Sequence, residues 1–166
     1  ILEELEKIRI DCMYGKKKHY NARDRCSKKH KHLGLALVII TSIMGTSVFL
    51  TLSASALSWV KVLTGILIVI NAVLAGFQTF FNFEKRAFRH KITADKYLIL
   101  MKKSQRFISY YKDKNITMDE IREEIEKLNQ EIQNIHEEEL ETSPEDYEKA
   151  RKGIMDNEEV YTEMRI

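Results

Sequence analysis

Apolar positions along the chain follow two patterns. Positions 1, 5, 8, 12, 15, 19, 22 and 26 read Ile, Leu, Ile, Cys, Gly, His, Ala and Cys. This 4-3 spacing gives a helix one continuous seam for a partner helix. It predicts an amphipathic helix over 1–32, with Gly15 a weak point inside it. Positions 94, 97, 101, 104, 108 and 111 (Ala, Tyr, Met, Ser, Ile, Tyr) repeat the spacing, and so do Met118, Ile121, Ile125, Leu128, Ile132 and Ile135. Thr117 and Glu120 have the spacing of a capping box and open a coiled-coil-like helix over 117–140. A turn is expected at Lys112–Ile116, with Asp113 and Asn115 in it. Ser143 and Pro144 mark the start of a last, acidic segment over 145–166, expected as a short helix with a looser end.

The second pattern is apolar on every side. Residues 33–52 carry no charge, and 57–82 carry only Lys61. At about 1.5 Å per residue each run spans roughly 30 Å, the hydrocarbon thickness of a bilayer. Buried helices of small soluble proteins have shorter apolar runs, so two transmembrane helices are expected. The first run starts after residue 32 and the second follows at once, which is not the placement of a signal peptide. The link Ser53–Ser58 fits only a tight hairpin, with Trp59 and Lys61 at the headgroup level. Between Gly76 and Gly153 the only Pro or Gly is Pro144, so the second span is expected to run on unbroken through 83–112. The fold class expected is all-α: a two-transmembrane hairpin carrying a cytosolic helical bundle.

Composition hides this organisation. The 166 residues have a net charge of +2 and a mean hydropathy of -0.34, the averages of a soluble domain. Taken by segment, 15–32 hold eight basic groups and one acid, 83–112 hold nine and two, and 113–166 hold seven and eighteen. Basic flanks on both runs place both termini in the cytoplasm and suit anionic lipid headgroups. Because these clusters abut the spans, no nucleic-acid partner is needed to explain them. Two Cys exclude a disulfide scaffold, and Cys12 and Cys26 are expected as buried reduced thiols on the first seam. The five histidines, His19, His30, His32, His90 and His136, show no metal-ligand spacing. No phosphate loop, zinc-protease helix or nucleophile elbow occurs, so no metal, cofactor or catalytic residue is expected. The chain begins at Ile1 rather than Met, which leaves room for residues upstream.

Polar residues inside the spans are the candidate site. Thr64, Asn71 and Gln78 are spaced by seven on the second run, with Lys61 three residues before them. Thr41, Ser42, Gly45 and Thr46 cluster on the first. They either hydrogen-bond between helices or line an aqueous path made by several copies. Glu84, Arg86, Arg89, His90 and Asp95 would form a charged collar where the second span leaves the membrane.

Two stretches carry a family likeness. One is Tyr20-Asn21-Ala22-Arg23-Asp24-Arg25-Cys26-Ser27 followed by Lys28–Leu33, and the other is Phe80–His90 with Ala94-Asp95-Lys96-Tyr97-Leu98. With them the chain resembles, over about residues 10–112, the SLATT domains, two-transmembrane modules linked to nucleotide second-messenger defence systems. The resemblance implies a membrane effector that oligomerises and forms a pore or perturbs the bilayer when a signalling partner acts. It implies no catalytic residue. The alternative is a non-conducting scaffold whose cytosolic bundle binds a protein partner. An enzyme built between subunits from Glu84, His90 or Asp95 is a distant third.

Overall fold

The computed structural model describes residues 1–51, 57–113 and 116–156. The expected hairpin tip, Asn115 and the end of the acidic segment lie outside these residues. Five helices follow one another: α1 (Leu2–Thr51), α2 (Ser58–Phe81), α3 (Phe83–Lys112), α4 (Met118–Glu138) and α5 (Pro144–Met155). No strand occurs among the described residues. The chain divides into two compact units, one taking in Ile1–Asp24 and the chain from Arg86 on, the other Arg25–Lys85.

In the first unit the three seams meet. Leu5, Ile8, Cys12 and Met13 of α1 pack with Tyr97, Leu100, Met101 and Ile108 of α3 and with Ile121, Ile125, Leu128 and Ile135 of α4. Ile132 packs against the same core partly buried. Each fully buried Ile or Leu contributes about 1.5–3 kcal/mol of hydrophobic stabilisation. The α4 seam is therefore covered by its own chain and is not left open for another coiled-coil strand. Met118 departs from the expected seam and is exposed. It sits in the first turn of α4, behind the cap. There Thr117 Oγ1 accepts from the Glu120 N–H at 3.4 Å, and the Glu120 carboxylate accepts from the Thr117 N–H at 2.9 Å. Ser143 and Asp146 cap α5 in the same reciprocal way, with Pro144 at its first turn. α5 meets α1 through the stacked rings of Tyr14 and Tyr147, 5.9 Å apart, and through Asn21, which donates to the Asp146 carbonyl.

Gly15 is not a weak point. It is buried in an unbroken helix, and a Cβ placed there would lie 2.8 Å from the Tyr97 ring. The close approach of Tyr97 requires glycine, at a cost of about 1 kcal/mol in helix propensity.

In the second unit α1 and α2 share a contact face. On α1 the more covered positions are Leu33, Leu37, Ile40, Met44 and Ser47, and on α2 they are Thr64, Leu67, Asn71, Leu74 and Gln78. Leu35, Val38, Ile39, Ile43, Val62, Ile66, Val69 and Val73 stay exposed. The most apolar stretches of the chain are thus its least buried. No residue of that stretch in α1 and 6% of that in α2 is fully buried.

The expectation of one unbroken helix from the second run into 83–112 is corrected. α2 stops at Phe81, and Asn82 takes the left-handed conformation, φ 41° and ψ 53°, before α3 begins at Phe83. Asn tolerates this region better than other non-glycine residues. Here Asn82 also serves both neighbours. Its N–H donates to the Gln78 carbonyl and its Oδ1 accepts from the Lys85 N–H.

Two outcomes follow for the detergent-solubilised chain, read from helical circular dichroism on thermal or denaturant unfolding. Gly15→Ala should destabilise by about 1–3 kcal/mol, because the ring of Tyr97 has to move. Asn82→Gly should be nearly neutral, whereas Asn82→Val should cost at least about 1 kcal/mol.

Candidate functional site

Two polar constellations stand out, one in each unit. In the second unit the stripe anticipated on α2 turns toward α1. Thr41 Oγ1 donates to Asn71 Oδ1 at 3.2 Å. Thr64 is buried and donates back to the Val60 carbonyl at 2.8 Å, and Thr46 does the same to Ser42 at 3.2 Å. Gln78 lines a small cleft of about 320 Å³ with His30, Leu37 and Thr79. Lys61 is exposed, outside the α1-facing set. In one chain, then, Thr64, Asn71 and Gln78 occupy the interhelical face, with Asn71 already bonded. A contact of this type is worth about 0.6 kcal/mol in a membrane.

The five residues of the proposed collar are distributed. Glu84 and Arg86 are exposed at the start of α3. Arg89 reaches the Glu138 carbonyl at 3.3 Å, and Asp95 accepts from the Tyr20 hydroxyl at 2.6 Å. His90 is buried in the first unit against His19. Its place follows from phase, because 90 continues the seam of Ala94, Tyr97 and Met101 one step toward the N-terminus.

Around His90 lies a cluster that sequence reasoning did not assemble. Its centre is Glu139, the first residue after α4. The Glu139 carboxylate accepts from His19 Nε2 at 2.9 Å, Lys18 Nζ at 3.0 Å and the Tyr97 hydroxyl at 2.8 Å. His136 Nδ1 lies 3.4 Å from Oε1, the oxygen that Lys18 also reaches. The opposite ring nitrogen of His19, Nδ1, meets His90 Nδ1 at 3.0 Å. With Glu139 as acceptor, His19 Nε2 carries a hydrogen, so the Nδ1–Nδ1 contact holds one hydrogen between the two rings. Two hydrogens there would oppose each other.

Electrostatics follow the geometry. Burial alone would raise the Glu139 carboxyl, but hydrogen bonds from His19, Lys18 and Tyr97 outweigh it and hold the group well below the usual carboxylate range. Burial and the adjacent Glu139 carboxylate push the Tyr97 phenol far up. Burial, with Asp95 as hydrogen-bond partner, pushes Tyr20 up to about 12. Burial, aided by the Asp11 charge, pushes the Cys12 thiol up to about 12, which keeps it protonated and unreactive. Both Cys are free and buried. Among the described residues no three His, Cys, Asp or Glu side chains are grouped to hold a metal ion. His19 and His90 are 0% and 1% exposed, which puts both rings out of reach of a substrate. The cluster works as a polar clamp joining α1, α3 and the end of α4.

Glu139→Ala should destabilise by about 2–4 kcal/mol, since it strands Lys18, His19 and Tyr97 together. The pH dependence has a definite sign. A depressed carboxyl contributes stability that is complete above its unfolded value of 4.5 and is lost as pH falls below it. Acid unfolding of the wild type should therefore begin below about pH 4.5, and Glu139→Gln should flatten that limb. Alkylation of the native protein at pH 8 should leave Cys12 unlabelled until the bundle is unfolded, as mass spectrometry of the peptide would show.

Residues 2–165 match the family described as SMODS and SLOG-associating 2TM effector domain family 4. No curated protein and no solved structure matches the chain. The family match and the two long, apolar, uncovered helices together point to a membrane protein of the effector type. Both stretches that carry the resemblance fall within the match, which extends beyond them through α4 and α5, and the chain belongs to the SLATT two-transmembrane effector family.

Proposed function

We propose that the protein is an oligomeric membrane effector that crosses the bilayer twice as a helical hairpin, termini in the cytoplasm, and forms or gates a pore. The observation that carries this reading is the exposure of the apolar stretches of α1 and α2. A soluble fold would cover such surface, whereas lipid accepts it. The basic flanks hold anionic headgroups and set the orientation. Two spans cannot enclose water, so a conducting path needs several copies. The reading assigns no reaction and no cofactor, and the trigger comes from a separate signalling protein.

One observation favours a second reading, a non-conducting scaffold whose bundle binds a protein partner. The polar stripe of Thr64, Asn71 and Gln78 faces α1 rather than outward, so it is spent within the chain.

Proteoliposomes separate the two. The pore reading expects purified wild type to release ions or a small dye, and replacing Asn71 and Gln78 by Leu should alter release while oligomer size is kept. Oligomers that stay impermeable under every trigger tried would remove the pore reading and leave the scaffold.

A further inference from the structure

The buried seam of α4 leaves assembly to other surfaces, and the outward faces of α3 and α4 differ in sign. α3 carries nine basic and two acidic residues, whereas α4 carries two basic and eight acidic. Helical phase sorts them further. On α3, Phe88, Ile92, Ile99 and Arg106 fall on one line opposite the core, with Lys91 and Lys102 beside it; Asp95 lies on the same line between Ile92 and Ile99, its carboxylate already accepting from the Tyr20 hydroxyl. Phe88 and Ile99 are 62% and 63% exposed, and Ile92 is exposed as well. On α4, Asp119, Glu123, Glu126 and Glu137 fall on one line opposite Ile121, Ile125 and Leu128. Between Glu126 and Glu137 that line carries Gln130 and Gln133, against which apolar side chains can pack without burying a charge. The ion pairs that join the two helices within one chain, Lys96–Glu138, Lys103–Glu131 and Lys103–Glu124, use the sides turned toward each other. Both outward stripes lie beyond them.

We infer that the basic, apolar-centred stripe of α3 in one copy docks on the acidic stripe of α4 in the next copy. The inference rests on the reading above that several copies assemble, and it names the surface. Contact of α3 with α3, or of α4 with α4, would set like charges opposite each other. Contact of α3 with α4 pairs them, with Phe88, Ile92 and Ile99 as apolar anchors inside a charged rim. Running in one direction from copy to copy, such a contact is heterologous and closes a ring where the rotation allows; made reciprocally between two copies, the same pairing gives a two-fold dimer. An anionic lipid surface would also suit α3, but it would make no use of the acidic stripe of α4, where Asp119 and Glu123 pair only within the helix, with Arg122 and Lys127.

The test uses the full chain in detergent, with oligomer mass read by light scattering and folding checked by helical circular dichroism. One variant reverses α3 (Lys91→Glu, Lys102→Glu, Arg106→Glu). The other reverses α4 (Glu123→Lys, Glu126→Lys, Glu137→Lys). Each alone should weaken assembly by at least roughly tenfold. An equimolar mixture should restore it, because each variant then offers the sign that the other needs, and so should a chain carrying both sets. Wild-type assembly with no loss in either variant overturns the inference and leaves the pore reading intact. Loss without rescue in the mixture overturns it too, as does an α3 variant that stays oligomeric and loses only its binding to anionic vesicles. Rescue with impermeable liposomes would support the contact and count against the pore.

Discussion

Glu139 is the acceptor on which the first unit closes. It draws Lys18 and His19 from α1, Tyr97 from α3 and His136 from the end of its own helix onto one carboxylate. Three of these partners would be costly to bury alone, and together with a carboxylate they satisfy one another. Tyr97 connects this clamp to the apolar core. Its hydroxyl bonds Glu139, while its ring covers Gly15 and packs among Cys12, Leu100 and Met101. The glycine, the seams and the buried histidines are thus parts of one packing solution.

The second unit is stabilised by different means. Its two helices share a narrow strip of contact, and most of their apolar surface is left to the surroundings. In water this arrangement would be unfavourable, and in lipid it is ordinary, because helices there associate through small residues and a few hydrogen bonds. One polypeptide therefore carries two kinds of interior, a dry core with a polar clamp and a lipid-facing pair. The charge segregation along the sequence follows the same division.

Most of the architecture was legible in the sequence because heptad spacing is a repeated signal. The seams of Leu5, Ile8 and Cys12, of Ala94, Tyr97 and Met101, and of Ile121, Ile125 and Leu128 each state which face is covered. The capping box of Thr117 with Glu120 and the helix start at Ser143 and Pro144 were legible as well, since such signals act locally; the reciprocal part of Asp146 in the second cap was added by the structure. The break at Asn82 was not, because one Asn in a long apolar helix carries no marker of left-handed geometry. Glu139 was hidden among eighteen acids of the C-terminal third, and its partner His19 lies 120 residues away. The polar stripe of α2 was legible as a stripe, but which side it faces depends on the neighbour it meets, and that is a tertiary fact.

That separation of 120 residues has a consequence for biogenesis. Synthesis runs from the N-terminus, so the Leu5–Cys12 face emerges long before the residue that closes the clamp. Both apolar runs leave the ribosome in the interval and are handed to the membrane while the amphipathic helix ahead of them is still uncovered. Closure of the first unit therefore waits until both apolar runs have been made, because its clamp cannot form before Glu139 has been synthesised.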